Sequence, residues 1–595
     1  MYGNNDNKAA VRSSMSEIFQ PTGKYSTWYT HSTDDVIVSV CGHAHYNHGY
    51  YCGQAFARII AENVCGDWDM RTKDVLKRLN GNWALIVLRG DILYAVADRT
   101  RSFPILYNQV NGDLRLSDDF EVVCRGGVRW RPEAVEEFLW SGYPTDTLTL
   151  ANGVYQIPAG TFLRYDVATK EKWLTEYFSF SPRGDSSDSD GQLSERLARL
   201  LDESVRRTGE AVRGKIVVPL SGGMDSRVIA ASLKRNGFDN IVCFSYGRKG
   251  NPESAVSRQI AEALNYEWHF VEYSPATWSE CMFSRGMKEY LAFACNGCSM
   301  PVYSNWYAVK SLCERSILSA GDAFVPGHTG DFLTGGHIPP DLLVEQRVTP
   351  EDVLSLIVKK HFSRWPDSPP DAIRSRLGKN ALAGTNGEPL NNIEAARLCE
   401  TWNWKERQAK MIINSNRIYE YFGFPWFVPL WDSELTDFYL TVPFRLRCNR
   451  RLFMKSSVEH TFSGKLSVLA DIPLAGRKAV SPRGTLDRLS ETSTPGSVLL
   501  KVAAEVRRRL IGRLRLVHLN HALCLRDCFA AGHHHLLVTI REMLQTQGLD
   551  HILDEPECES VVKFVDRPVG QVNAYATLSL FVLAQLSRKE REFDR

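Results

Sequence analysis

The sequence predicts an α/β chain in three stretches: a β-rich region over 1–180, a parallel-sheet α/β region over 193–485, and a helical extension over 486–595. Three observations carry this. Before 180, short apolar runs alternate with turn signals. At 181–192, SPRGDSSDSDGQ breaks the pattern with a composition that favours a solvated linker. After it, strand-like runs alternate with helical ones, the order expected of a parallel sheet.

In the first region, DVIVSVCG, NWALIVLRGDILYAVAD, FPILYNQVNGDLRLSDD and GTFLRYDV read as strands. The turns at Arg89-Gly90-Asp91 and Asn111-Gly112-Asp113 predict hairpins. One helix is expected near 54–63. In the second region, a helix over 193–208 precedes a strand at 215–220. A helix at 226–236, a strand at 240–246 and a helix at 253–265 follow. From about 345 the pattern is mainly helical, and the last stretch is basic in patches, as at Arg507-Arg508-Arg509.

A length of 595 residues calls for more than one core. Lys plus Arg is 71 and Asp plus Glu is 69, a formal net charge of +2, which gives no global case for a nucleic-acid partner. The 14 cysteines show no disulfide-scaffold spacing. The opening residues lack the apolar core of a signal peptide, and no apolar run is long enough to span a membrane. The expectation is a cytoplasmic protein with free thiols. No fixed-period repeat is visible.

The chemistry concentrates in IVVPLSGGMDSRVIAASLKRNG, residues 216–237. Glycines after a strand let the backbone turn sharply and approach a ligand. The helix that follows offers free N–H groups and a partial positive charge. Ser221 and Ser226 add hydroxyls. Such a turn suits phosphate or pyrophosphate, and Asp225 then calls for a bridging Mg²⁺. The alternative is an ordinary strand–helix turn with a serine cap and an acidic first-turn residue. No Gly-Lys-Ser/Thr follows, so this is not a Walker A loop.

SGGMDS resembles the PP-motif of the N-type ATP pyrophosphatases, and further stretches narrow the likeness to the asparagine synthetase and β-lactam synthetase family. CFSYG at 243–247, ES at 253–254 and QIAEAL at 259–264 are similar to that family's second strand and helix. SMPVYSNWYAVKSL at 299–312 resembles its pocket helix. PGHTGDFLTGGH at 326–337 resembles its second acidic loop, matching at Gly327, Asp331, Leu333, Gly335 and Gly336. It departs at His328 and Phe332, where acids are usual. GFPWFVPLWD at 423–432 and IPLAGRKAVSP at 472–482, with Arg477 and Lys478, complete the likeness.

The resemblance implies a parallel-sheet, adenine-nucleotide α-hydrolase-like fold that uses ATP and Mg²⁺. It implies that Ser221, Gly222, Gly223 and Ser226 hold pyrophosphate, that Asp225 and Asp331 meet over Mg²⁺, and that Leu220, Ser245 and Gly247 line the adenosine site. A substrate carboxylate attacks the α-phosphorus, and an amine then displaces AMP. Lys455 or Arg451 would neutralise the intermediate, the alternative being a basic helix face in water. Arg227 stands where the family has a second serine. It either reaches the phosphates or makes a nearby salt bridge, the second being favoured.

The first region resembles a class II (Ntn-type) glutaminase. VIVSVCGHAHYNHG matches at Gly42, Tyr46 and Asn47, and residues 79–108 match at Gly81, Asp98, Arg99, Pro104, Leu106 and Tyr107. Those glutaminases begin with a catalytic Cys after the initiator Met, whereas this chain begins Met-Tyr-Gly and its first cysteine is Cys41. The expectation is a degenerate glutaminase-like region. Nitrogen would then come from ammonia, another protein or a substrate amine, the last as in β-lactam synthetases and lasso-peptide cyclases. A misassigned start is the rival explanation.

GRKGNPESAVSRQIAEALNYEWHFVEYS and VPGHTGDFL are also similar to asparagine-synthase-related proteins that accompany bacterial surface-polysaccharide genes, which makes a sugar uronate a candidate substrate. The partner expected is a small-molecule or peptide carboxylate, with a homodimer as candidate assembly and no nucleic acid. Two other classes stay open: a sulfur- or nitrogen-transfer enzyme on tRNA, and a nucleotide-binding regulator without catalysis.

Three further groupings have bland readings. Cys295 and Cys298 form one CxxC, too few ligands for zinc. His521, Cys524, Cys528 and His533-His534-His535 could hold a structural metal or be packed thiols and surface histidines. Arg507 to Arg509, with Arg513 and Arg515, could touch RNA or form a solvated helix face.

Overall fold

The fold is described from a computed structural model, over residues 15–64, 68–125, 127–274, 276–277, 280–281, 284–363, 368–475 and 480–491. Arg477, Lys478, the Cys/His patch at 521–535 and the basic run at 507–515 lie outside these residues, as does the extension beyond 491.

The chain is mixed α/β. Its first part holds a seven-stranded sheet, ordered β1 (Tyr29–Ser32), β2 (Val36–Tyr46), β4 (Asn80–Arg89), β5 (Ile92–Ala97), β9 (Thr161–Asp166) and β10 (Lys172–Glu176), with β3 (Gly49–Cys52) paired to β2. All these pairings are antiparallel. Successive side chains of a strand point to opposite faces, and this sheet buries both. Val38, Val40, Leu85, Val87 and Val96 face one core with Phe56, Ile60 and Leu76 from the helices Gly53–Val64 and Trp68–Arg78. Ile37, Cys41, Ile86, Leu93 and Ala95 face a second core with Phe19, Phe103 and Leu116. That double burial explains the near-continuous apolar runs.

Both expected hairpins form. The β4–β5 turn uses Gly90 at φ 54°, and β6 (Leu106–Val110) pairs with β7 (Asp113–Ser117) through Asn111 at φ 53° and Gly112 at φ 87°. Two consecutive positive φ angles are what a tight two-residue hairpin of this twist demands.

The stretch expected as a linker over 181–192 differs in two ways. Its last three residues are helical: the helix Asp190–Ala211 begins with a capping box between Ser189 and Gln192. The rest is mostly exposed or half-buried, as expected, but is tied to the helix Ser433–Thr441. The N–H groups of Arg183 and Ser186 donate to the carbonyls of Leu440 and Thr441, at 2.7 and 3.0 Å.

The second sheet is four-stranded and wholly parallel, ordered β13 (Glu267–Glu272), β12 (Ile241–Gly247), β11 (Ile216–Pro219) and β14 (Ala323–Phe324). The helices Asp225–Arg235 and Pro252–Leu264 connect its strands. The later region is helical as expected, with one addition, a two-residue antiparallel pairing of 347–348 with 390–391. The helix Asn392–Asn403 runs directly into a π-helical stretch, Trp404–Ile412. Such wide turns often accompany functional sites. One continuous apolar cluster extends from Val36 to Ala470, so both parts share a core. Among the described residues, no helix is long and apolar enough to cross a membrane.

Candidate functional site

β11 ends at Pro219, and the chain turns through 220–224 before the helix Asp225–Arg235 begins. Leu220 is fixed on both sides of its peptide. Its N–H donates to the Phe244 carbonyl at 2.9 Å, and its carbonyl accepts from Ser257 Oγ at 2.6 Å. The turn is closed by its serines: the Ser221 N–H donates to Ser226 Oγ at 3.0 Å, and the Gly223 N–H to Ser221 Oγ at 3.2 Å. Gly222 is sterically required, because a Cβ there would lie 2.4 Å from the Ala475 Cβ. Its N–H donates to the Glu253 carboxylate, whose pKa burial raises.

The second acidic loop packs directly on this turn. A Cβ on Gly327 would lie 2.6 Å from the Ser226 nitrogen, and one on Gly330 would lie 2.6 Å from the Asp225 carboxyl carbon. Glycine at both positions lets the backbones approach this closely. Asp225 and Asp331 are thereby brought together, 106 positions apart in sequence. Burial raises the pKa of Asp225, opposed by Arg450, and the backbone N–H of Asp331 donates to its carboxylate. The Asp331 carboxylate takes the Phe332 N–H and His337 Nε2, each at 2.8 Å. Burial works to raise its pKa, but the His337 bond and the Arg450 charge hold it below the ordinary carboxylate range.

His337 is oriented from behind. Asn403 and Gln408 present their amide nitrogens to its Nδ1 at 2.9 and 3.4 Å. Nδ1 is then the acceptor, which leaves the proton on Nε2 facing Asp331. Arg450 reaches Asp225 from a kink in which Asn449 and Arg450 both have left-handed φ, 55° and 62°. Its Nε donates to Thr334 Oγ1 at 2.7 Å, and its guanidinium lies 4.6 Å from the Phe453 ring centre.

A cavity of about 310 Å³ opens over the turn. Leu220, Ser221, Gly223, Asp225, Ser226 and Ser245 line it. Gly222 is not in the lining and packs against Ala475 and Val256 instead, and Gly247 (φ 130°) lies at the end of β12, where its carbonyl accepts from the Tyr273 N–H at 2.7 Å. His328 lines the cavity too. Burial lowers its pKa to about 4, so it is a neutral imidazole, 3.1 Å from Asn416 Oδ1.

Two expectations are corrected, those for Lys455 and Arg227. Lys455 does not reach the site: its ammonium pairs with Glu459, and its helix packs on Asp190–Ala211, where Ser456 Oγ donates to the Ser194 carbonyl at 2.7 Å. The cation supplied by that segment is Arg450. Arg227 is not among the residues lining the cavity and, among the described residues, makes no salt bridge. It is fully buried and donates to the carbonyls of Leu469, Ile472 and Pro473 at 3.0, 2.7 and 2.8 Å. Phe332 is a core residue, 5.0 Å from Phe180 and 5.9 Å from Trp431 between ring centres, so no second acid is presented there. Among the described residues, no three acidic, histidine or cysteine side chains form a metal cluster.

Sequence reasoning missed Arg450, His337 and Glu253 as site residues. The first stood beside the selected Arg451, the second closed the TGGH of the acidic loop, and the third lay in the ES pair.

Cys41 is buried among apolar residues, and burial raises its thiol pKa well above the ordinary value. That environment suits packing, not nucleophilic attack. Cys295 and Cys298 are also buried free thiols.

The asparagine synthase family model matches residues 196–456. A protein named probable asparagine synthetase (glutamine-hydrolyzing), from Acanthamoeba polyphaga mimivirus, is 41% identical over 81 residues, 13% of this chain. The chain spans 14% of that relative's length. Slight structural likenesses exist to an NH3-dependent NAD synthetase from Campylobacter jejuni (18% identity, 26% of this chain and 65% of the other, TM-score 0.17). They extend to an NMN synthetase from Francisella tularensis (15% identity, 38% and 98%, TM-score 0.19). Glutamine PRPP amidotransferase from B. subtilis is similar at 8% identity over 51% of this chain and 64% of the other, TM-score 0.18. The likeness to the asparagine synthase family thus rests on residues 196–456, a stretch that holds the Ser-Gly-Gly turn, Asp225 and Asp331.

Proposed function

We propose that the chain is an ATP-dependent amide-forming ligase of the asparagine synthetase type. The observation that carries this reading is the convergence of the Ser-Gly-Gly turn, Asp225 and Asp331 at the carboxyl ends of β11 and β14, where open α/β sheets bind ligands. A carboxylate oxygen of the substrate attacks the α-phosphorus of ATP, the bond to the β-phosphate oxygen breaks, and pyrophosphate leaves. An amine then attacks the acyl carbon, loses a proton, and AMP departs with the acyl oxygen.

In this reading Ser221, Gly223 and Ser226 hold the pyrophosphate, and Leu220 and Ser245 line the adenosine side. Gly222 keeps the turn tight by contact with Ala475, and Gly247 shapes the end of β12. Two carboxylates fit Mg²⁺, an ion that completes its shell with phosphate oxygens and water rather than with an all-protein cage. Asp225 and Asp331 would hold it, and when bound it neutralises charge gathering on the pyrophosphate. His337 fixes the Asp331 carboxylate. Arg450 stands as the counter-charge to Asp225 and must yield or share that carboxylate when the ion arrives.

The substrate carboxylate belongs to a small molecule or peptide. A sugar uronate and an internal amide closure are the two alternatives to aspartate. The nitrogen comes from ammonia or from a substrate amine, in keeping with a Cys41 thiol held in the core.

ATP–pyrophosphate exchange tests the reading. Protein, Mg²⁺, ATP and labelled pyrophosphate are incubated with aspartate, uronic-acid sugars and peptides, with Asp225→Ala as control. Exchange that requires one carboxylate and vanishes in the variant supports the ligase. Two observations favour a second reading: Phe332 stands where the resembling family has an acid, and Arg450 already neutralises Asp225. ATP binding without exchange for any carboxylate would make the protein a nucleotide-binding regulator.

A further inference from the structure

The seven-stranded sheet ends at β10 (Lys172–Glu176), which pairs with β9 on one side. Among the described residues, no strand lies on its other side. The ladder fixes which backbone groups face outward. Just beyond one end of β10, the Asp166 N–H donates to the Glu171 carbonyl at 2.9 Å. Just beyond the other, the Tyr177 N–H donates to the Gly160 carbonyl at 2.8 Å. Bonded pairs of an antiparallel ladder recur at every second residue, so Trp173 and Thr175 bond inward to β9. The N–H and C=O groups of Lys172, Leu174 and Glu176 point away from the sheet.

The side chains on this edge are apolar and bare. Ile86, Ala95 and Leu163, all fully buried, form a row across the sheet that ends at Leu174. Leu174 is 41% exposed. Trp173, on the opposite face, is 46% exposed, with the Arg164 guanidinium 5.3 Å from its ring centre. Val110, 44% exposed, is close by: its neighbour Gln109 accepts from the Lys172 ammonium and donates to the Lys170 carbonyl at 2.9 Å. An unpaired edge with exposed apolar side chains is a template for another strand.

Charge selects the occupant. β10 reads Lys-Trp-Leu-Thr-Glu. Laid antiparallel on its own copy about a two-fold axis at Leu174, it sets Lys172 of each copy opposite Glu176 of the other. Leu174 then faces Leu174, Trp173 faces Thr175, and every outward N–H meets an outward carbonyl. Opposite charges directly across a ladder stabilise it, and like charges oppose it. In-register parallel stacking would set Lys172 beside Lys172 and Glu176 beside Glu176, so this edge favours a closed pair over an open filament. We infer that β10 is the interface of a homodimer, in which two copies of the chain join their sheets across these edges. A five-residue ladder buries less than the roughly 1,200 Å² of a stable interface, so the dimer is weak, with a Kd on the order of 10 µM. The surface is separate from the nucleotide cavity, and the inference does not depend on the ligase reading.

Sedimentation velocity of the full chain, from about 1 to about 200 µM, tests the inference. Leu174→Pro removes an N–H that faces outward, so it costs no hydrogen bond inside the chain, and edge strands tolerate proline there. It is expected to abolish the dimer with circular dichroism unchanged. The charge variants are made in a Lys405→Met background, because Lys405 holds Glu176 at 3.1 Å within the chain. Lys172→Glu and Glu176→Lys are each expected to raise the Kd about tenfold, since one reversal acts at both ends of a two-fold ladder. The double reversal re-pairs the charges across the axis and is expected to recover most of that loss. A chain that stays monomeric, a dimer that survives Leu174→Pro, or a double reversal no better than the single ones overturns the inference. If the proline variant misfolds, the charge reversals decide. Hydrogen exchange reads the same edge. Protection of the Lys172, Leu174 and Glu176 amides that grows with protein concentration sustains the pairing. Protection independent of concentration would mean that another segment of the chain lies there, and overturns it.

Discussion

The Arg450 guanidinium donates to Asp225 Oδ1, the same carboxylate that accepts the backbone N–H of Asp331. A cation drawn from the chain thus occupies one face of the acid proposed to hold Mg²⁺. If arginine and metal compete, Arg450→Met lowers the Mg²⁺ concentration needed for half-maximal exchange, several-fold or more, and slows the maximal rate. A Mg²⁺ dependence identical to wild type would rule the competition out.

Arg227, in the first turn of the helix that follows the Ser-Gly-Gly turn, ties that helix to the segment at 469–473 through three backbone carbonyls. Arg227→Ser, which installs the residue usual in the resembling family, strands those carbonyls and opens a void. The expected loss is about 3 kcal/mol. Urea denaturation measures it, and a loss under about 1 kcal/mol would mean that water or the backbone replaces the clamp.

Restoring the missing acid is expected to fail. Phe332 sits among Phe180, Trp431 and His337. Phe332→Glu buries a carboxylate in an aromatic cluster and is expected to cost about 3–5 kcal/mol. A variant as stable as wild type, with tighter Mg²⁺ binding, would refute this account of the position.

His43 supplies a stability test away from the site. Its ring lies 4.5 Å from Phe427, and burial, then His45, lowers its pKa to about 3. The unfolded value is near 6.5. Between these two values the unfolded chain binds a proton that the fold excludes, so stability falls as pH drops through the window and is untouched above it. His43→Phe is expected to reduce the stability difference between about pH 7.5 and about pH 5. An unaltered difference would place the acid sensitivity elsewhere.

The parts of the site set by local pattern were legible in the sequence. Gly222 follows a strand and precedes a helix, and the hairpin at Asn111-Gly112 carries its own turn code. Asp225 and Asp331 were legible through motif likeness. The cations were not, because their direction depends on backbone that no periodicity announces. Lys455 and Arg450 are five positions apart, yet the left-handed pair Asn449 and Arg450 turns one to Asp225 while the other faces Glu459. Arg227 misled because a buried guanidinium whose two amino groups donate to carbonyls leaves no charge pattern to find.

The shared core has a consequence for how the chain can change over generations. Arg99 of the first part pairs with Asp437 of the second at 2.6 Å, Trp404 donates to the Arg99 carbonyl at 2.7 Å, and Lys410 donates to the Pro144 carbonyl at 2.9 Å. A substitution at Asp437 leaves the buried Arg99 guanidinium with only the carbonyls of Lys77 and Ser433, so the two positions are expected to covary among descendants of this gene. Neither part is free to drift or to be exchanged for a foreign module. Each part is held in place as the wall against which the other is built.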